Sequence, residues 1–181
     1  MRVSKEKAAA NREKILNEAA RLFRERGLAG IGVDELTEAA GLSYGSLYSH
    51  FGSKDGLMAE AVKQASANFA TKMRDKPSMA AYVAQYLSAD HRDDPGGGCS
   101  VATLASDMPR QSKAVRRAFT ENFRGAVTRI GARMKAGKRS VSDDDVLAAV
   151  STLVGAIIIA RGVDDADLSD RVLAAAKARL R

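Results

Sequence analysis

Residues 33–54 read VDELTEAAGLSYGSLYSHFGSK. Val33, Leu36, Ala39 and Ala40 recur at helical spacing, and Gly41 is placed to stop that helix. After the turn Gly41-Leu42-Ser43 a second short helix is predicted from Tyr44 to Phe51, with Ser43 as its N-cap. Two short helices joined by a glycine-containing turn form a helix-turn-helix. Such a motif needs an apolar inner face to hold a fixed crossing angle, and Leu36, Leu42, Leu47 and Phe51 supply it. It also needs small or polar residues at the start of the second helix to reach base edges. Ser43, Tyr44, Gly45 and Ser46 meet that demand.

Outward from this run the chain reads as helix throughout. Ile15, Leu16, Ala19, Ala20, Leu22 and Phe23 form one stripe of a helix over 11–26, which Gly27 ends. A longer helix starts near Ser53, a second N-cap candidate, and reaches about Arg74. Pro77 marks a break before a helix from Met79 to about Ala89. Residues 90–98, DHRDDPGGG, read as the clearest loop. Cys99 then opens a short helix to about Asp107, and a long helix spans about 111–136. The last two helices are predicted over Asp143–Ala160 and Leu168–Leu180. No run alternates with period two, so the expectation is an all-α fold of about nine helices.

Composition narrows the functional classes. Of 181 residues, 45% are apolar and 28% charged, which suits a folded globular chain. One cysteine excludes a disulfide scaffold, and two histidines offer no metal-ligand spacing. No cofactor or metal is expected. No nucleophile–histidine–acid order stands out either, so an enzyme is not expected. The N-terminus is polar and charged, which does not resemble a secretory signal, and a cytoplasmic location follows as the expectation. The apolar stretch Val146–Ala160 is short for a membrane span and carries Ser151 and Thr152, so no membrane partner is expected.

The net charge of +7 suits a polyanionic partner. Its distribution is uneven. Residues 1–54 hold nine Lys/Arg against seven Asp/Glu, whereas residues 110–139 hold ten against Glu121 alone. The second block reads as a solvated helix face.

The sequence resembles the tetracycline-repressor (TetR) family of regulators. The resemblance is carried by Ile15-Leu16, Ala19-Ala20, Leu22-Phe23, Gly27, Val33-Asp34-Glu35-Leu36, Ala39-Ala40-Gly41-Leu42-Ser43, Gly45-Ser46-Leu47-Tyr48, His50-Phe51 and Ser53-Lys54-Asp55-Gly56-Leu57. It implies a helix-turn-helix DNA-binding domain over 1–53 and a ligand-binding and dimerisation domain over 54–181. It also implies a homodimer through the last two helices and release from double-stranded, pseudopalindromic operator DNA by a small-molecule inducer. Ser43, Tyr44, Gly45 and Ser46 match the base-reading segment, within a run that includes Ser49. Tyr48, His50 and Lys54 match phosphate-contacting positions, and Thr37 is a further backbone candidate. Arg2, Lys5 and Lys7 form a basic N-terminal arm. Gly32 departs from the pattern, standing where many relatives carry a capping Ser or Thr. A helical adaptor that keeps the fold but no longer reads DNA is the alternative.

The sensing half offers Phe69, Met73, Tyr82, Tyr86, Met108, Phe119 and Phe123 as candidate pocket lining. Cys99 is a separate candidate with two readings: a small buried residue at a tight junction, or a reactive thiol as in some relatives that sense electrophiles, since a helix start and a basic segment lower a thiol's pKa. For the interface, Val150, Leu153, Val154, Ile157 and Ile158 form one stripe, widened by Ala156 and Ile159. Val172, Leu173, Ala176 and Leu180 form its partner.

Overall fold

A computed structural model describes residues 5–41, 43–137 and 140–180. Arg2 and Leu42 lie outside the described residues, as does the side chain of Tyr44. The described residues contain only helices, as expected: α1 (Lys5–Arg26), α2 (Val33–Ala40), α3 (Tyr44–Phe51), α4 (Lys54–Lys72), α5 (Met79–Tyr86), α6 (Ala89–Asp93), α7 (Ser100–Leu104), a 3-10 helix (Ala105–Arg110), α8 (Lys113–Gly137), α9 (Asp143–Gly162) and α10 (Ala166–Arg179).

Local chemistry sets the boundaries of the head. Gly41 takes the left-handed conformation after α2, with φ 64°, and its N–H donates to the Glu38 carbonyl at 2.8 Å. Ser53 caps α4 by accepting from the Gly56 N–H at 3.0 Å. Ser43 does not cap α3 in this way. Its side chain makes no cap hydrogen bond, because its own carbonyl accepts from the Ser46 N–H at 3.0 Å and closes the first turn. Lys5 and Lys7 belong to α1 and not to a separate arm, since the helix begins six residues earlier than the apolar stripe indicates.

Residues 90–93 also depart from expectation, while 94–98 form a loop as expected. Ser88 caps α6 through the His91 N–H at 3.2 Å, His91 turns inward to 3% exposure, and Arg92 reaches Ser169 and Asp170 on α10. A polar string thus folds as a helix because its side chains find partners in distant elements.

Two apolar cores result. The first joins α1–α3 to Leu57, Met58, Ala61, Val62 and Ala65 of α4, and to Leu104, Met108, Val115 and Ala118. The second begins at Phe69 and takes in α5, α7, α9 and α10. Helix α4 therefore belongs to both, with the change falling between Ala65 and Phe69.

Helix α9 has 20 residues and is long and apolar enough to cross a membrane by length and composition, which corrects the shorter expectation. Much of that apolar surface serves the core, since Val146, Ala149, Val150, Leu153, Ala156, Ile157 and Ala160 are buried. The expected single stripe therefore splits. Val150, Leu153, Ala156 and Ile157 pack inside the chain, as do Leu173 and Ala176 of α10. Leu147, Ile158 and Ile159 stay exposed, with Leu168 of α10.

Candidate nucleic-acid interface and ligand cavity

Helix α3 has one buried side. Leu47 is fully buried and Phe51 nearly so, while Gly45, Tyr48 and Ser49 are exposed and Ser46 and His50 half-buried. The Arg12 guanidinium lies 5.0 Å from the Phe51 ring centroid and pairs with Glu60, holding α1, α3 and α4 together. The Ser49 hydroxyl donates to the Ser46 carbonyl at 2.8 Å. Ser43 is exposed at the start of the helix. A Cβ added at Gly45 would meet nothing within 4 Å. Glycine costs a helix about 1 kcal/mol relative to alanine, and nothing in the fold requires it at this position. The gap leaves the α3 backbone open to close approach from outside.

Lys54 stands at the first position of α4, where its Nζ donates to the Ile31 carbonyl at 2.9 Å. An ammonium carries three donors, so this bond fixes the side chain beside the α3–α4 turn and leaves donors for an anion. Thr37 is different. It is 5% exposed and its hydroxyl donates to the Asp34 carbonyl at 2.9 Å, so it presents no surface to a phosphate.

The second core encloses a cavity of about 30 Å³ between α4, α5, α7, α8 and α9. Phe69, Met73, Tyr82, Tyr86 and Cys99 line it together, as the sequence suggests. Met108, Phe119 and Phe123 do not. Met108 belongs to the head core, Phe119 sits between the two cores, and Phe123 packs beside the second without reaching the cavity. A larger open groove of about 800 Å³ lies between Pro77–Ala80 and the ends of α8, α9 and α10, and holds none of the expected lining residues.

Aromatic rings form the cavity's inner wall. Phe69 meets Tyr86 edge-on at 5.7 Å, Tyr82 stacks on Tyr86 at 5.8 Å, and His91 stacks on Phe69 at 5.0 Å. Burial pushes both tyrosine phenols up, so both remain protonated donors. The Tyr86 hydroxyl is buried without a nitrogen or oxygen partner among the described residues, and the Cys99 thiol lies beside it.

His91 explains how Cys99 is placed. Its Nε2 accepts from the Cys99 backbone N–H at 3.0 Å, and its Nδ1 lies 2.6 Å from the Tyr86 carbonyl. Both contacts are satisfied only by a neutral ring with the proton on Nδ1. Burial accordingly pushes the imidazole down to about 4. Cys99 itself is 7% exposed and precedes α7.

Two arginines flank this junction, Arg24 buried and Arg161 half-buried. Arg24 of α1 donates to the carbonyls of Ala20, Ala65 and Gly98. Arg161 of α9 donates to the carbonyls of Arg92 and His91. Burial lowers the pKa of both guanidiniums. Arg24 thus ties the head's first helix to α4 and to the residue before Cys99. Asp107 adds a second tie, accepting from the Leu28 N–H at 2.8 Å beyond the end of α1.

The sequence reading missed Arg24, His91 and Arg161, along with two arginines on the cavity wall, Arg129 and Arg133. The signal for the last two was present: Ala126, Arg129, Ile130 and Arg133 share one face of α8 at i, i+3, i+4 and i+7. The count of like charges in that segment concealed it.

Residues 15–61 match the family described as "Bacterial regulatory proteins, tetR family". The chain is 30% identical to the HTH-type transcriptional regulator LmrA of Bacillus subtilis over 123 residues, 63% of this chain and 65% of that regulator. It is 42% identical over 55 residues to the HTH-type transcriptional repressor KstR2 of Rhodococcus jostii, covering 30% of this chain and 27% of that one. The chain therefore spans less than two thirds of the length of these relatives. The crystal structure of reduced NemR from E. coli superposes with a TM-score of 0.80 at 20% identity, over 95% of both chains, a likeness of fold.

Proposed function

We propose that the chain is a dimeric, sequence-specific DNA-binding transcriptional repressor, released from its operator by a small-molecule or electrophile inducer. The exposed face of α3 carries this reading, with Gly45 leaving its backbone open. Ser43, Gly45, Ser46 and Ser49 present small groups suited to base edges, while Tyr48, His50 and Lys54 are placed for phosphates. The relatives are named regulators and repressors, which supports regulation over catalysis.

Dimerisation is proposed through the outer faces of α9 and α10. Of the exposed large apolar residues, Leu147, Ile158, Ile159 and Leu168 all lie there. Cβ atoms added at Gly155 and Gly162 would meet nothing within the chain, so a partner helix has room to approach. Two heads then engage half-sites roughly 34–36 Å apart.

Release follows from the size of the cavity. About 30 Å³ holds roughly one water, whereas ligand sites run to roughly 300–1,000 Å³. A ligand must push the walls apart, and two of those walls, Phe69 and Met73, stand on or beside α4, whose other end is in the head core. A ligand that binds the expanded form better shifts the population away from the DNA-binding one. Cys99 lines the same cavity, so an electrophile that enters meets its thiol.

The test is selection of genomic fragments by purified, ligand-free protein, followed by sequencing. An enriched palindrome is expected. No enrichment by a folded dimer would overturn the repressor reading in favour of the adaptor.

A further inference from the structure

The charges on the cavity wall are one-sided. Arg129 and Arg133 line it together, and no Asp or Glu does. Arg133 is half-buried. Its guanidinium donates to the carbonyls of Lys76, Met73 and Arg129 and lies 5.0 Å from the Tyr82 ring centroid, so it is held in place without an acidic partner. Arg129 is exposed, and among the described residues its guanidinium has no hydrogen bond or ion pair. Elsewhere on α8, Arg117 pairs with Glu121 and Lys135 with Asp143. Among the described residues neither cavity arginine has a carboxylate partner, a state they share with Lys113, Arg116 and Arg124 of the same helix.

A second observation points the same way. Tyr86, 2% exposed, lines the cavity, and its hydroxyl has no nitrogen or oxygen partner among the described residues, only the Cys99 thiol, a weak acceptor, beside it. A buried hydroxyl left unsatisfied costs roughly 1–3 kcal/mol, so it is a donor waiting for an acceptor. Cys99 acts on both tyrosine hydroxyls, with Arg133 and Arg129 acting on Tyr82 and Arg161 on Tyr86; none of these is a carboxylate. An organic cation would meet like charge along the α8 wall, while a neutral ligand would leave the arginines unused.

We propose that the cavity selects an organic anion: an apolar, ring-sized body lying against Phe69, Tyr86, Ile130 and Leu153, with one carboxylate or similar acidic group held by Arg129 and Arg133. The inference rests on the reading of this cavity as the inducer site, and it names the inducer's chemical class. Arg133 is the fixed half of the clamp and Arg129 the mobile half, closing on the acid from the exposed side. A guanidinium matches a carboxylate in two parallel hydrogen bonds, so the pair discriminates by charge and by shape. Burying the acid beside the aromatic wall strengthens the attraction relative to water.

The test uses the full-length, DNA-free protein and a matched pair of probes, 4-phenylbutyrate and 4-phenylbutan-1-ol, in titration calorimetry. The acid is expected to bind at least tenfold more tightly than the alcohol. Arg129→Gln, at an exposed side chain without a hydrogen bond or ion pair among the described residues, is expected to lower the acid's affinity at least fivefold, leave the alcohol's unchanged and keep the melting temperature. Equal affinities for acid and alcohol, an unchanged acid affinity in Arg129→Gln, or no saturable binding of either probe would each overturn the proposal. The genomic selection, run on the same preparation, separates the two readings. Charge-selective binding without an enriched palindrome would remove the repressor reading alone. A palindrome with charge-blind binding would remove the anion alone.

Discussion

The outward face of α3 takes its residues from one eight-residue helix, while the cavity takes its lining from α4, α5, α7, α8, α9 and the Cys99 junction. The first face is polar and exposed, and its groups keep donors and acceptors for an outside partner. The cavity is largely apolar, and the cations Arg24, buried, and Arg133 and Arg161, half-buried, donate to backbone carbonyls of other segments of the chain. A change on α3 is therefore expected to alter recognition while sparing the fold. A change in or beside the cavity acts on packing, on charge burial and, through α4 and Arg24, on the head itself.

Four measurements break or sharpen that contrast. The largest effect is expected where the α3 face meets its own core. Leu47→Ala removes a fully buried side chain and should cost about 2–5 kcal/mol in chemical denaturation. A loss below 0.5 kcal/mol, on the scale of a surface substitution, would show that the head is not held by this packing.

The next effect belongs to the cavity side. His91 is neutral in the folded chain, its pKa pushed from 6.5 down to about 4, so the unfolded chain binds the proton more readily between those values. Stability is thus complete above pH 6.5 and falls as the pH drops toward 4. By pH 5 the loss attributable to this group is about 2 kcal/mol. Urea midpoints at pH 7.5 and pH 5, compared between the wild type and His91→Gln, check it. Equal pH slopes in the two proteins would remove His91 as the cause.

Gly45→Ala is expected to act with opposite signs on the two properties. It should stabilise α3 by about 0.5–1 kcal/mol, because the helix gains propensity and the new methyl meets nothing. It should also weaken operator binding, because the methyl occupies the space left for the groove. Improved binding together with improved stability would mean that Gly45 faces no DNA.

The smallest effect is expected from Lys54→Ala. Binding should weaken for all sequences alike, and the slope of log affinity against log salt should become shallower by about one. A loss confined to one operator variant would place Lys54 on a base edge.

Much of the head was legible in the linear order of residues. Gly27 and Gly41 end helices through backbone freedom, Ser53 caps through its own hydroxyl, and Leu36, Leu47 and Phe51 mark the inner face by spacing alone. These are local effects, complete within one or two turns of chain. The cavity was legible only in part. Phe69, Met73, Tyr82, Tyr86 and Cys99 are found where apolar spacing placed them, but Met108, Phe119 and Phe123 share that spacing and belong elsewhere. Periodicity says which face of a helix is buried, not which neighbour covers it.

The amino-acid order by itself determined an all-helical chain, the helix-turn-helix and the side of α3 that faces outward, because propensity, capping and apolar period act over a few residues. Only the tertiary structure decided that residues 89–93 form a helix, that the apolar surface of α9 divides between core and exterior, and that Arg129 and Arg133 share a wall with Tyr86. Each of those outcomes depends on side chains brought together across the chain, where burial and partner geometry outweigh local preference.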